Sequence, residues 1–339
     1  MGGIAVSAAR VTPAGPERPR RLRRTAALRS LVKSTRLAAG QLVMPLFVIS
    51  GRDRSEPIRS LPGHARLSVD RAVARARELA QLGVGGVLLF GIPDRKDEEG
   101  SGASDPGGPV PSALRALKEA GQPLVLAADV CLCEYTTHGH CGVIAGGEID
   151  NDATLPLLGE AAIVYAEAGA DIVGPSGMMD GQVAALRAAL DGAGHSGTAI
   201  MAYASKAASA FYGPFREAAG STPAFGDRRA YQMDYSNASE AMREMELDVR
   251  EGADILMVKP ALTSLDLLVR AQKRFDLPLA AYQVSGEVAM IEAAAERGWL
   301  DRKSASLEAL TAIVRAGAGI VITYLAADAA RWLQEDAAR

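Results

Sequence analysis

The chain has three cysteines, and all of them crowd one short stretch at Cys131, Cys133 and Cys141. The spacing Cys-x-Cys-x7-Cys, with His138 and His140 in the same stretch, gathers soft ligands within one loop. Three thiolates suit zinc with a fourth position left to water or substrate, the arrangement of a catalytic site. His140 as a fourth ligand would instead close the site. Three unrelated free thiols are the plain alternative, and the clustering argues against it. An odd cysteine count in a chain of 339 residues also argues against a disulfide framework, so a reducing, cytoplasmic setting is expected.

Two lysines stand at the ends of apolar runs, in Met201-Ala-Tyr203-Ala-Ser205-Lys206 and Met257-Val258-Lys259-Pro260. Adjacent strands lie about 5 Å apart, which would bring two such lysines close together. Like charge and apolar walls both disfavour an ammonium, so each lysine's pKa is expected to fall. A neutral amine is what attacks a ketone to form a Schiff base. The alternative is that each lysine caps its strand or pairs with an acid such as Asp254. The connection from Ala207 to Ser236 carries Phe211, Tyr212, Phe215, Arg216, Phe225, Arg228, Arg229 and Tyr231. A connection this long reads as a lid. Arg216 and Arg228 could clamp a carboxylate there, or stand solvated on a mobile loop. Ser176, Asp180, Ser285 and Tyr324 end other apolar runs, and each alone reads as a local hydrogen-bonding residue. Two amines, a Lewis-acid metal and two arginines suit a condensation of two small keto acids.

These residues need a scaffold that brings strand ends together. Continuous apolar runs occur at Leu42–Ile49, Gly86–Phe90, Leu124–Asp129, Asp171–Gly174, Thr198–Ala202, Ile255–Val258, Leu279–Val284 and Gly319–Tyr324. Such runs fit a parallel sheet covered on both faces. Helical patterns follow each run, at 69–82, 111–120, 155–168, 182–190, 239–251, 264–275, 287–297 and 305–316, with a last one at 326–333. Ser68, Asn237 and Ser304 are plausible N-caps, and Gly83, Gly121, Gly169, Gly252 and Gly298 close helices. Eight strand-then-helix units predict a (β/α)8 TIM barrel over residues 39–339, preceded by an extended N-terminal arm over residues 1–38. A doubly wound sheet would want a Gly-x-Gly-x-x-Gly fingerprint after an early strand, and none stands there.

Composition excludes other classes. Lys plus Arg number 37 and Asp plus Glu 40, a formal charge of −3, so no nucleic-acid partner is expected. No run reaches the length of a membrane span, and the first residues lack a secretory h-region. They do carry Arg10, Arg18, Arg20, Arg21, Arg23 and Arg24 against Glu17 alone. Pro13, Pro16 and Pro19 discourage an amphipathic targeting helix, so the segment reads as a partly disordered arm gripping a partner subunit rather than as a transit peptide.

From about Arg21 to Leu333 the chain closely resembles the 5-aminolevulinate dehydratase (porphobilinogen synthase) family. The carrying segments are Leu46-Phe-Val48, Lys96-Asp-Glu-Glu-Gly-Ser101, Asp129-Val-Cys-Leu-Cys133, His138-Gly-His-Cys141 and Gly174-Pro-Ser-Gly-Met-Met-Asp-Gly181. Further ones are Tyr203-Ala-Ser-Lys206, Phe211-Tyr-Gly-Pro-Phe-Arg216, Phe225-Gly-Asp-Arg-Arg229, Met257-Val-Lys-Pro260 and Tyr282-Gln-Val-Ser-Gly-Glu287. The resemblance implies a lyase that condenses two 5-aminolevulinate molecules to porphobilinogen with loss of two waters, in tetrapyrrole (haem) synthesis. It implies that Lys259 holds the propionate-side substrate and Lys206 the acetate-side one, each as a Schiff base. Zinc on Cys131, Cys133 and Cys141 would polarise or orient the acetate-side substrate. Arg216, Arg228 and Gln232 would bind its carboxylate, and Ser285 and Tyr324 that of the other. Asp129 and Ser176 would hold the amino group that stays free, with Phe215 and Tyr203 also binding substrate. The family's allosteric magnesium position falls on Glu244, and the family usually forms homo-octamers held by N-terminal arms.

Three departures stand out. Gly177 replaces a frequent Asp. Ala230 replaces a Cys that serves a second zinc in some members, so one zinc per subunit is expected. Tyr235-Ser236 replaces a more usual Pro-Ala. A class I Schiff-base aldolase on the same barrel would need one lysine and no thiolate metal site; a non-enzymatic zinc-binding barrel would bind metal without turnover.

Overall fold

The computed structural model describes residues 17–338. They fall into two units, divided between Arg36 and Leu37. In the first, Pro19–Arg23 makes a 3-10 turn and Ala26–Leu31 makes helix α1, whose Thr25 cap accepts from the Leu28 N–H at 3.1 Å. No residue of either element is buried. Expectations resting on Arg10, Pro13 and Pro16 fall outside the described residues.

The second unit alternates strand and helix. Strand β1 (Leu42–Ile49) leads through a hairpin, β2 (Ser55–Pro57) and β3 (Ala65–Ser68), to α2 (Val69–Gln81). Then come β4 (Gly86–Ile92), α3 (Pro109–Ala120), β5 (Val125–Val130) and a small hairpin, β6 (Ile144–Ala145) with β7 (Glu148–Ile149). Next are α4 (Asn151–Glu167), β8 (Ile172–Pro175), α5 (Gln182–Gly192), β9 (Ala199–Lys206), α6 (Gly213–Ala219) and α7 (Ala238–Glu251). The rest is β10 (Ile255–Lys259), α8 (Leu265–Arg274), β11 (Leu279–Gln283), α9 (Ser285–Glu296), α10 (Arg302–Arg315), β12 (Ile320–Thr323) and α11 (Ala326–Ala337). The order β1-β4-β5-β8-β9-β10-β11-β12 is parallel throughout and closes on itself, with Leu42 opposite Val321. This is the expected (β/α)8 barrel.

Alternation along each strand divides the core in two. Phe47, Leu88, Ala127, Met201, Met257, Ala280 and Ile322 belong to one cluster, filling the barrel. Val48, Leu89, Ala128, Ala202, Val258 and Val321 belong to the other, packed beneath the helices. Both faces are apolar, which is why the strands read as unbroken runs.

The eight strands and their helices lie where the sequence places them, with local differences, four of which bear on helix starts or on the lid. Helix α4 starts at Asn151, not Leu155: Asp150 caps it by accepting from the Ala153 N–H at 3.0 Å, and Pro156 sits inside the helix. Proline has no N–H, so it leaves one carbonyl of the first turn, at exposed Asp152, without a helical donor. Helix α10 is capped by Asp301, which accepts from the Ser304 N–H at 2.8 Å; Ser304 is the donor, not the cap. Ser68 precedes α2, but its hydroxyl binds Asp70 and receives the Arg54 N–H instead of capping. Asn237 caps α7 as expected. The fourth difference is the β2–β3 hairpin, which lays β3 beside β1 with Phe47 opposite Arg66.

Candidate active site

The register of β9 and β10 puts Lys206 directly opposite Lys259. The ladder shifts between Leu256 and Val258, a local irregularity that sets this pairing. Both lysines are 5 % exposed. The Lys259 Nζ is boxed by rings, 4.1 Å from the Tyr282 centroid, 5.0 Å from Tyr203, 5.2 Å from Phe215 and 5.4 Å from Tyr212. Burial, then the Lys206 charge, push Lys259 down to about 7, against the pull of Asp129. The Lys206 Nζ donates to the Ser176 carbonyl at 2.5 Å and lies 5.5 Å from the Tyr203 centroid. Asp254, the acid considered as a strand-end partner, accepts instead from the Ile200 N–H at 2.7 Å.

Cys131, Cys133 and Cys141 lie just past β5, all buried, with their Sγ atoms within 4.8 Å of one another. A turn makes this possible. The Leu132 carbonyl accepts from the Tyr135 and Thr136 N–H groups, and Thr136 Oγ1 donates to the His140 carbonyl at 3.0 Å, folding the loop back until Cys141 meets the other two. Sulfurs about 3.8 Å apart would surround a tetrahedral zinc, so the donor set and its compactness fit that ion. His140 does not complete it: Nδ1 meets the Tyr231 hydroxyl and Nε2 the Phe225 carbonyl, each at 3.0 Å. Hydrogen bonds from Cys131 and Cys133, with Arg228 and Lys206 nearby, push the Cys141 thiol well down, while Cys131 is pushed up.

Asp129, on β5, accepts from Ser176 Oγ at 2.9 Å through Oδ2, while Oδ1 has no partner. Tyr203 lies near enough to favour the charged carboxylate, yet its hydroxyl makes no hydrogen bond of good geometry. Burial wins and raises Asp129 despite both lysines. Glu134, which sequence reasoning passed over, is 2 % exposed beside the thiols. Its Oε2 accepts from Cys133 Sγ at 3.3 Å, and Oε1 has no partner. Burial, then Asp129, push it up to about 7.

The connection after β9 is ordered around α6, which lies over the lysines. Phe215 N–H donates to Ser285 Oγ at 3.0 Å. Arg66 on β3 donates to the Ala218 and Glu217 carbonyls at 2.7 and 2.6 Å, and Lys96 Nζ to the Gly220 carbonyl at 2.6 Å. Cations at the open carbonyl end of a helix are favourably placed. Beyond α6 the chain lies on the cysteine loop: Ala224 N–H donates to the His138 carbonyl at 2.9 Å, and Arg228 Nη2 to those of Gly139 and Ser221 at 2.8 and 2.7 Å. Gly139 permits this approach, for its φ is +70° and a Cβ there would stand 2.5 Å from the Thr222 carbonyl oxygen.

Arg216 and Arg228 are brought together, so that burial and the Arg228 charge both oppose the charge on Arg216. The Nε atoms of both arginines and both amide atoms of Gln232 are buried without partners. The two guanidinium Nε–H groups and the Gln232 amide nitrogen are donors facing no acceptor, a set that suits a carboxylate. On the Lys259 side, the Tyr324 and Tyr282 hydroxyls are 3.2 Å apart, and Ser285 is occupied by the lid. Glu244 lies elsewhere, on α7, lining a cavity of about 940 Å³ with Asp180, Glu240, Asp248 and Glu251. Burial, then Asp180, raise its carboxyl. A Cβ at Gly177 would meet only ordinary contacts.

Paired buried lysines beside a thiol cluster, at the C-terminal end of a closed barrel, define a class: a (β/α)8 enzyme equipped for carbonyl chemistry. The particular family follows from comparison. The family described as Delta-aminolevulinic acid dehydratase matches residues 16–332. The enzyme of that name from Synechococcus elongatus is 53 % identical over 320 residues, covering 93 % of this chain and 98 % of its own. The one from Mycobacterium tuberculosis is 55 % identical over 324 residues, covering 94 % and 97 %. The crystal structure of the delta-aminolevulinic acid dehydratase (porphobilinogen synthase) of Toxoplasma gondii, in complex with its product porphobilinogen, superposes with a TM-score of 0.92. It is 45 % identical and covers 95 % of this chain and 93 % of its own. The chain belongs to the delta-aminolevulinic acid dehydratase family.

Proposed function

We propose that this chain condenses two molecules of 5-aminolevulinate into porphobilinogen, releasing two waters, as a step of tetrapyrrole (haem) synthesis. The observation that carries the reading is the register pairing of Lys206 with Lys259. Two amines side by side can hold two ketones at once, which a condensation needs and a one-lysine aldolase does not. Lys259 is held near neutrality by its ring box, ready to attack the propionate-side substrate. Lys206 holds the acetate-side substrate, whose carboxylate meets Arg216, Arg228 and Gln232. Ser285 and Tyr324 take the other carboxylate, Asp129 and Ser176 the free amino group, and Phe215 and Tyr203 wall the site from water.

Cys131, Cys133 and Cys141 would hold one zinc, which when bound supplies Lewis-acid polarisation next to the acetate-side substrate. A magnesium ion at Glu244 would act from outside the site, supported by the acidic neighbours there. The arm, with no buried residue in its two helical pieces, suits a homo-octamer in which it grips a neighbour. Three buried free thiols suit the cytoplasm. Among the described residues no helix is long and apolar enough to cross a membrane.

The test is product. Zinc-loaded protein given 5-aminolevulinate is expected to form a pyrrole that colours with an aldehyde reagent, to lose at least about 90 % of that activity on chelation, and to regain it with zinc. No pyrrole from the zinc-loaded protein contradicts the reading. Metal binding without turnover would favour a non-enzymatic barrel instead.

A further inference from the structure

We propose that Glu134 is a third acceptor for the amino group of the substrate held at Lys206, alongside Asp129 and Ser176. This deepens the functional reading above and rests on it.

Two buried carboxylate oxygens in the site lack a partner, Asp129 Oδ1 and Glu134 Oε1. Their carboxyl groups belong to one cradle: a carboxylate oxygen from each of Asp129 and Glu134 and the Cys131 Sγ all lie within 4.8 Å of one another. Acceptors so close face an N–H-rich group, since a single nitrogen reaches oxygens on either side at about 2.9 Å each. Lys206 is linked to this cradle through Ser176. Its Nζ rests on the Ser176 carbonyl at 2.5 Å, and the same serine's hydroxyl binds Asp129 at 2.9 Å.

The substrate's own chemistry points the same way. In 5-aminolevulinate the amine is one methylene from the ketone carbon. A Schiff base at Lys206 therefore ties the amine beside that nitrogen, which Ser176 links to Asp129 and so to the cradle that holds Glu134. Lys259 also feels the charges of Asp129 and Glu134, but its immediate walls are four aromatic rings, whereas Lys206 has a hydrogen-bonded link through Ser176 to Asp129. The two lysines thus differ in how they receive the same molecule: one end reads the amine, the other does not. The second oxygen of Glu134 lies 3.3 Å from Cys133 Sγ, which sets the carboxyl group against the thiol cluster.

The experiment compares zinc-loaded wild type with Glu134→Gln and Glu134→Leu. Each is titrated with 5-aminolevulinate, trapped with borohydride and mapped by peptide mass spectrometry; zinc content is measured in parallel. The 5-aminolevulinate concentration for half-maximal trapping at Lys206 is expected to rise about tenfold, the effect of losing one charged hydrogen bond. At Lys259 it is expected to stay within about twofold, which also shows that the variants fold. Levulinate, which lacks the amine, is expected to compete equally well in all three proteins. Equal shifts at both lysines, no shift at either, weaker competition by levulinate, or loss of zinc from the variants would each overturn the proposal; the last would make Glu134 a residue of the metal centre. Failure of the broader reading looks different: wild type itself would then form no porphobilinogen.

Discussion

Lys259 owes its reactivity to its surroundings. Four rings and a second ammonium leave its charge poorly compensated, so it sits near 7, well below the ordinary lysine value of about 10.4. The neutral form dominates above that pKa. Trapping of a ketone at Lys259 should therefore rise through pH 7 and level off by about pH 8, where an ordinary lysine would still be gaining. Removing the neighbouring charge with Lys206→Met should move the rise to higher pH, because the Lys206 charge is among the causes that lower it. A pH series of borohydride trapping with levulinate checks both. Cysteines and lysines of this site were legible in the sequence because their signals are local: three thiols within one loop, and a lysine closing each of two apolar runs. Glu134 was not. It stands in the same loop, looking like any solvated carboxylate, and only the turn through Leu132 carries it into the interior.

At the scale of elements, α6 and the segment after it behave as a lid fastened from three directions. Arg66 comes from the β2–β3 hairpin, Lys96 from the loop after β4, and Arg228 bridges to the cysteine loop. The closest approach is at Gly139. Gly139→Ala would thrust a methyl against the Thr222 carbonyl and force a positive φ on a residue that resists it. We expect a rise of about tenfold or more in KM and faster proteolysis between residues 213 and 231, with zinc still bound; steady-state kinetics and limited digestion would show it. The barrel strands were readable as continuous apolar runs because both of their faces are covered. The hairpin that supplies Arg66 was not, for Ser55-Glu56-Pro57 is polar, short and largely exposed. Helix starts misread at α4 and α10 share one cause: an Asp ahead of the expected start takes the cap, so Leu155 lies a turn inside α4 and Ser304 lies within the first turn of α10 instead of before it.

Across the whole molecule, barrel closure converts residues distant in sequence into neighbours. Loops after β5, β8, β9, β10, β11 and β12 meet at one end, which is where every assigned group except Glu244 stands. The alternation of eight units made that architecture readable before any contact was known. What it could not supply is which side chains face one another, a matter of register: the shift between Leu256 and Val258 is what sets Lys206 against Lys259. The proposed condensation turns on this pair holding two substrates together. Borohydride trapping of zinc-loaded protein with 5-aminolevulinate, followed by peptide mapping, tests it most directly. Adducts on both Lys206 and Lys259, with porphobilinogen formed by the untrapped enzyme and abolished in both Lys206→Ala and Lys259→Ala, are the predicted result. An adduct confined to one lysine, with porphobilinogen still formed when the other is replaced by alanine, would contradict it.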